Sequence, residues 1–163
     1  DKIEKYIPPK KGRKHILFII RELLDFKPQS RKTDIKQAVE FLTGVMKRKC
    51  TAFLMSDFYT QEEFEKSLTI CNRKHDLVAL QVYDHRDVDL PDVGLMKVKD
   101  AESGHEMYID TSDRKLRTAH ANYWRNRQKM LSDIFNNSNV DNVSIATNQD
   151  YVKALMQLFA MRR

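Results

Sequence analysis

Glycine and proline are scarce in this chain, four of each in 163 residues. That argues against a loop-rich or disordered polypeptide. Cysteine is scarcer still, with Cys50 and Cys71 the two present. One disulfide would not staple a small secreted scaffold of this size. Cys50 opens an apolar run and Cys71 falls on an apolar helix face, so both read as small buried hydrophobes. No apolar stretch approaches the roughly 20 residues needed to cross a bilayer. No signal peptide is recognisable either, and the expected compartment is the cytoplasm.

Catalytic signatures are also missing. The five histidines (His15, His75, His85, His105 and His120) show no His-x-x-x-His spacing, and there is no Cys-x-x-Cys, so a zinc site has no support. No Gly-x-Ser-x-Gly elbow surrounds Ser56, and no P-loop or dinucleotide fingerprint occurs. His85-Arg86-Asp87 imitates a kinase catalytic loop, but no Gly-rich loop accompanies it and Asp92 stands where that motif needs Asn. It reads as a solvated loop after a strand. The chain is therefore expected not to be an enzyme.

What is present is a normal globular composition, 41% hydrophobic and 32% charged, long enough for one domain spanning residues 1–163. The net charge is +6. Its excess lies in Lys10-Lys11-Gly12-Arg13-Lys14, Arg31-Lys32, Lys47-Arg48-Lys49 and Arg162-Arg163. These flank elements with little aromatic interleaving and read as solvated ends. A nucleic-acid-binding domain using these basic segments is the alternative function.

Residues 1–9 alternate and stop at Pro8-Pro9, like the tail of a strand leaving a sheet. From His15 to Phe26 a helical stripe runs through Ile16, Ile19, Ile20, Leu23 and Leu24. A second helix is predicted from Thr33, as N-cap, to Lys47. Thr51 to Met55 is a continuous apolar run, expected as a strand buried on both faces. Gln61 to Arg73 is predicted helical, with Phe64, Leu68 and Cys71 inward. Leu77 to Tyr83 is a second buried strand. Gly94 to Lys99 and His105 to Asp110 bracket Asp100-Ala101-Glu102-Ser103-Gly104 as a β-hairpin insertion over about 94–110. Ser112 or Asp113 caps a long helix reaching about Phe135. A third core strand covers Val143 to Ala146, and a last helix Asp150 to Ala160. Tyr123, Trp124, Met130, Met156 and Met161 are expected in the core by the burial preference of their residue types. The alternation implies an α/β fold with a parallel sheet and right-handed crossovers.

Ligands of open α/β sheets sit beyond the carboxyl ends of the strands. Asp57, Asp84 and Thr147 fall at those three ends. A carboxylate just past a buried strand suits either a hard cation or the capping of the next turn.

Thr33-Asp34, Phe53-Leu54-Met55-Ser56-Asp57-Phe58 and Val78-Ala79-Leu80-Gln81-Val82-Tyr83-Asp84 resemble the second half of a von Willebrand factor A-type domain. Leu90-Pro91-Asp92-Val93-Gly94, Ile109-Asp110-Thr111-Ser112, Val143-Ser144-Ile145-Ala146-Thr147 and Tyr6-Ile7-Pro8-Pro9-Lys10-Lys11-Gly12 resemble, more closely, the bacterial domain-of-unknown-function 58 family. The resemblance covers nearly the whole chain. It implies a Rossmann-like sheet with flanking helices, and a partner in a MoxR-type AAA+ ATPase or its client. It also implies a metal-ion-dependent adhesion site for Mg²⁺ used in protein–protein interaction, with Thr33 and Asp57 at two of its ligand positions. The Asp-x-Ser-x-Ser run that completes such a site is missing. Asp110-Thr111-Ser112 imitates it, but Arg114 takes the last place. The resemblance thus implies that the N-terminal part of the domain, with its central strand, is absent. Mg²⁺ binding by this chain alone is then expected to be weak or nil, because two oxygen ligands do not dehydrate the ion. The strand over residues 51–56 would be left as an apolar edge prone to self-association.

Overall fold

The computed structural model describes residues 2–30, 32–60, 62–100 and 104–162. Its helices are α1 (Arg13–Asp25), α2 (Ile35–Val45), α3 (Glu65–Lys74), α4 (His85–Val88), α5 (Arg114–Asn137) and α6 (Tyr151–Met161). Its strands are β1 (Thr51–Ser56), β2 (Asp76–Tyr83), β3 (Leu95–Lys99), β4 (Glu106–Asp110) and β5 (Asp141–Ala146). The main sheet has the order β1-β2-β5 with both pairings parallel. β3 and β4 pair antiparallel as a separate two-stranded sheet. The predicted turn residues Ala101, Glu102 and Ser103 lie outside the described residues, as do Arg31, Gln61 and Arg163.

Helices cover both faces, as the α/β alternation implies. On one face Ile35 and Val39 of α2, Leu68 and Cys71 of α3, and Leu131 and Phe135 of α5 close over Leu77 and Ala79 of β2. On the other, Leu158 and Leu155 of α6 pack on Val78, Leu80 and Val143. β2 is central and is the strand with the nearly continuous burial that an apolar run predicts.

β1 departs from that expectation. Ala52 and Leu54 pack half-buried against the larger core, while Phe53 and Met55 stay exposed on the opposite face. The reason is position. Among the described residues β1 pairs only with β2, and α6 lies over β2 and β5, reaching β1 through the edge-on contact of Phe159 with Phe53 at 6.2 Å.

α1 forms where its stripe predicts, but among the described residues the stripe is little covered: Ile19 is half-buried, none of its residues is buried, and Leu23 and Leu24 are 72% and 80% exposed. The N-terminal segment holds it by polar contacts. Glu4 accepts from the backbone N–H groups of Gln29 and Ser30, and Lys5 pairs with Glu22. Tyr6 meets Phe41 of α2 edge-on at 5.5 Å. The segment itself belongs to neither sheet.

Several local expectations are corrected. The N-cap of α2 is Asp34, whose carboxylate accepts from Gln37 N at 2.8 Å, because the helix begins at Ile35 rather than beside Thr33. α3 begins at Glu65, with buried Phe64 before it. Tyr123, Met130, Met156 and Met161 are exposed, not core, since a three-stranded sheet leaves the outward sides of α5 and α6 uncovered. Arg162 is no solvated end. It bridges Asp76 and Asp141, tying the end of α6 to the starts of β2 and β5.

Candidate binding site

Thr33 and Asp57 come together. Both line one cavity of about 420 Å³ at the carboxyl end of β1, shared with Tyr59, Asp87, Trp124 and Arg127 among others. Asp57 follows the last residue of β1, and Thr33 sits just before the cap of α2. β1 ends on that side of the sheet, and α2, which leads back to the start of β1, begins there, which is why Thr33 and Asp57 meet.

The cavity wall is built around a strained turn. Phe58 holds φ at +55°, a left-handed conformation unusual for a bulky residue. Four interactions keep it there. Ser56 Oγ accepts from Phe58 N at 3.0 Å, and Asp57 Oδ1 accepts from Tyr59 N at 3.0 Å. The Phe58 ring is buried against Phe64 and edge-on against Phe135, at 6.2 and 5.1 Å. The fourth is Arg127, reaching from α5 to donate to the Phe58 carbonyl. Its guanidinium also stacks over the ring of Tyr59. Tyr59 and Tyr123 share a hydroxyl–hydroxyl contact of 3.2 Å, which raises the Tyr59 phenol above its ordinary pKa. Trp124, half-buried, rests on Tyr83 with ring centroids 5.3 Å apart.

The other two strand ends form a separate pair. Thr147 Oγ1 donates to Asp84 Oδ2 at 3.2 Å. Asp84 and Asp87 cap α4 reciprocally, and the N–H of Arg86 chiefly holds the Asp84 carboxyl below its ordinary pKa. The segment His85-Arg86-Asp87 is thus a capped helical turn, and only its Asp87 reaches the cavity.

Asp110-Thr111-Ser112 is structural. Thr111 is fully buried; its hydroxyl donates to Gly94 O at 2.7 Å and accepts from Val93 N at 3.1 Å. Arg117 donates to the Thr111 carbonyl and pairs with Asp92 at 3.1 Å. The segment latches the hairpin to α5 and supplies nothing to the cavity.

Thr33 and Asp57 offer the oxygen donors that Mg²⁺ prefers, but too few of them. Among the described residues no group of three or more His, Cys, Asp or Glu side chains is placed to hold a metal ion. The residues present therefore do not by themselves fit the ion.

Two features carried no sequence signal. Arg127 looked like one more charge on a long helix, yet it is buried, with its Nε lacking a partner. Cys50 Sγ lies 3.4 Å from His75 Nδ1, at the opposite end of the sheet from the cavity. Parallel pairing of Thr51 with Asp76 creates that contact. Burial lowers the pKa of His75, and its Nε2 has no partner among the described residues. Cys71 is fully buried as predicted, and desolvation raises its thiol pKa.

The family model described as a protein of unknown function, DUF58, matches residues 1–130. The chain belongs to the DUF58 family. Relatives within reach of this DUF58 chain include "Uncharacterized protein Rv1480" of Mycobacterium tuberculosis and "Uncharacterized protein Mb1516" of Mycobacterium bovis. Each is 27% identical over 161 residues, covering 96% of this chain and 50% of the relative. "Uncharacterized protein MAV169" of Mycobacterium avium is 24% identical over 159 residues, covering 96% of this chain and 94% of its own length. The DUF58 chain thus spans half the length of the first two relatives. No solved structure matches it. No helix among the described residues is long and apolar enough to cross a membrane.

Proposed function

We propose that this DUF58 chain is a non-catalytic protein-interaction module that takes an acidic group of a partner protein at the cavity bounded by Thr33, Asp57, Trp124 and Arg127. The observation that carries the reading is the convergence of Thr33, just before α2, and Asp57, just after β1, on one cavity. Its walls support it further. Tyr59, Tyr123, Trp124 and Arg127 are the residue types that dominate the energetics of protein interfaces. The resemblance to von Willebrand factor A-type domains makes the complete site a Mg²⁺-dependent one. Thr33 and Asp57 would then hold the ion, which would supply a Lewis-acidic position for a partner carboxylate. Since the donors here are too few, Mg²⁺ binding by this chain alone is weak. The partner system the resemblance favours is a MoxR-type AAA+ ATPase or its client, in the cytoplasm, and a further partner is a second copy of the chain.

The test is calorimetric titration of this chain with a purified MoxR-type ATPase, with and without Mg²⁺. Saturable binding that Trp124→Ala or Asp57→Asn weakens at least tenfold, a loss of about 1.4 kcal/mol, supports the proposal. No binding, or binding indifferent to both substitutions, overturns it.

The nucleic-acid reading has less to draw on. Arg162 is committed to Asp76 and Asp141, and Lys47 Nζ donates to the Gly44 carbonyl at 3.0 Å. A steep fall of DNA or RNA affinity with salt would revive it.

A further inference from the structure

Cys50 and His75 meet at the amino ends of β1 and β2, away from the cavity of Thr33 and Asp57. Backbone bonds set both in place. His75 caps the end of α3, its N–H donating to Cys71 O at 2.8 Å, and Asp76 N donates to Cys50 O at 2.9 Å. Cys50 Sγ then lies 3.4 Å from Nδ1 of a ring that is 1% exposed. Among the described residues that thiol is the ring's one polar contact, and Nε2 is left unpartnered. Buried polar groups are ordinarily satisfied, so an imidazole buried with a thiol alone is costly and calls for a use. Both side chains line an open cleft of about 470 Å³ with Lys49, Thr51, Asn72 and Asp76. Cys50 is half-buried and within reach of solvent, whereas Cys71 is fully buried.

The other groups of the cleft narrow the chemistry. Asn72 does not complete a Cys-His-Asn triad, because its side chain accepts from Leu77 N at 2.9 Å and donates to Asn139 O. Without a third group orienting the ring, acyl transfer has no support. Thiol–disulfide exchange needs less: an accessible thiol and somewhere for its proton to go. Asp76 is neutralised by Arg162 and accepts from the Thr51 hydroxyl at 3.1 Å. Lys49 is exposed in the lining, and Lys74 adds positive charge beside His75. That balance favours an acidic ligand. We propose that Cys50 is a modification site that forms mixed disulfides with acidic low-molecular-weight disulfides, His75 accepting the thiol proton. Sγ attacks one sulfur of the ligand as its proton passes to Nδ1, and the new S–S bond forms while the ligand's own breaks. The departing thiolate carries off the electron pair and takes up the proton. Cys50 is thereby oxidised, and one half of the ligand is reduced to a thiol. Burial disfavours a standing charge on His75, so the proton crosses during the attack, as in general-base catalysis.

The experiment is reaction of the 163-residue chain with glutathione disulfide at neutral pH. Peptide mapping by mass spectrometry assigns the adduct, and circular dichroism confirms the fold of each variant. Cys50 of the folded chain is expected to react at least about tenfold faster than Cys50 of the urea-unfolded chain, with Cys71 spared until unfolding. His75→Asn is expected to slow Cys50 about tenfold. Should it not fold, His75→Gln takes its place, and the folded-against-unfolded comparison still tests the wild type. The wild type is expected to prefer glutathione disulfide to cystamine, a cationic disulfide, and Lys49→Glu to reverse that order. A folded Cys50 no faster than the unfolded one, a His75 variant as fast as the wild type or faster, or Cys71 modified as readily in the folded chain overturns the proposal. So does a wild type that prefers cystamine, or a preference that Lys49→Glu leaves unchanged.

Discussion

The guanidinium of Arg127 lies 4.1 Å from the centre of the Tyr59 ring and donates to the carbonyl of Phe58, one residue before that ring. A side chain from the middle of α5 thus clamps the left-handed turn that follows β1. Replacing Arg127 by Ala removes one of two donors to the Phe58 carbonyl, which keeps Thr60 N at 3.1 Å, and removes the stacking. Each loss is worth about 0.5–1.5 kcal/mol in such a setting, so a drop of about 1–3 kcal/mol in urea unfolding is expected. Arg127→Lys is expected to recover less than half, because an ammonium cannot donate to the carbonyl and stack flat at once.

Thr111 is the second structural anchor. Thr111→Val keeps the shape but leaves Val93 N without its acceptor, and because Val93 is itself exposed the cost is expected to be about 1 kcal/mol. The loss should appear in the unfolding midpoint while the protein-binding affinity of the cavity stays unchanged, since this latch supplies none of its lining.

Arg162 serves two carboxylates that are themselves partly exposed, Asp76 and Asp141. Arg162→Ala is therefore expected to cost only about 1 kcal/mol. The difference between wild type and variant should shrink as salt rises from low to molar concentration in thermal melts, because exposed ion pairs are screened.

His75 makes stability depend on pH. It is 1% exposed, and burial lowers its pKa from the ordinary 6.5. Below about pH 6.5 the unfolded chain takes up a proton that the folded one resists. Stability should therefore fall as pH drops through that value, and level off once the pH is below the folded pKa. Melting temperature against pH is the measurement. His75→Asn, which does not titrate, should flatten that part of the profile even if it lowers stability overall.

Much of the architecture was readable from local pattern. The apolar runs at Thr51–Ser56 and Asp76–Tyr83 and the helical stripes around them specify alternating strands and helices, and short crossovers of that kind make the sheet parallel. Once it is parallel, Asp57, Asp84 and Thr147 must emerge on one side. Thr33 and Asp57 were identified through a resemblance, and they do line one cavity. Thr33 as a helix cap was not upheld, because the neighbouring Asp34 takes that role one residue later. The capping and latching roles of Asp84, Asp87 and Thr111 were hidden, because each depends on a hydrogen-bond partner that no spacing rule names.

The sequence by itself determined the order and type of the elements, through periodicity that is a property of neighbouring residues. It did not determine what covers them. The stripe of α1 and the continuous apolar run of β1 look like those of buried elements, and both are left largely open. Burial requires a second surface across from the first, and that is decided by how far the three-stranded sheet extends. Nor could it pair Arg127 with Phe58, or Cys50 with His75, 69 and 25 residues apart. Those contacts exist because strand register and helix crossing bring distant positions to the same place, and only the folded chain sets them.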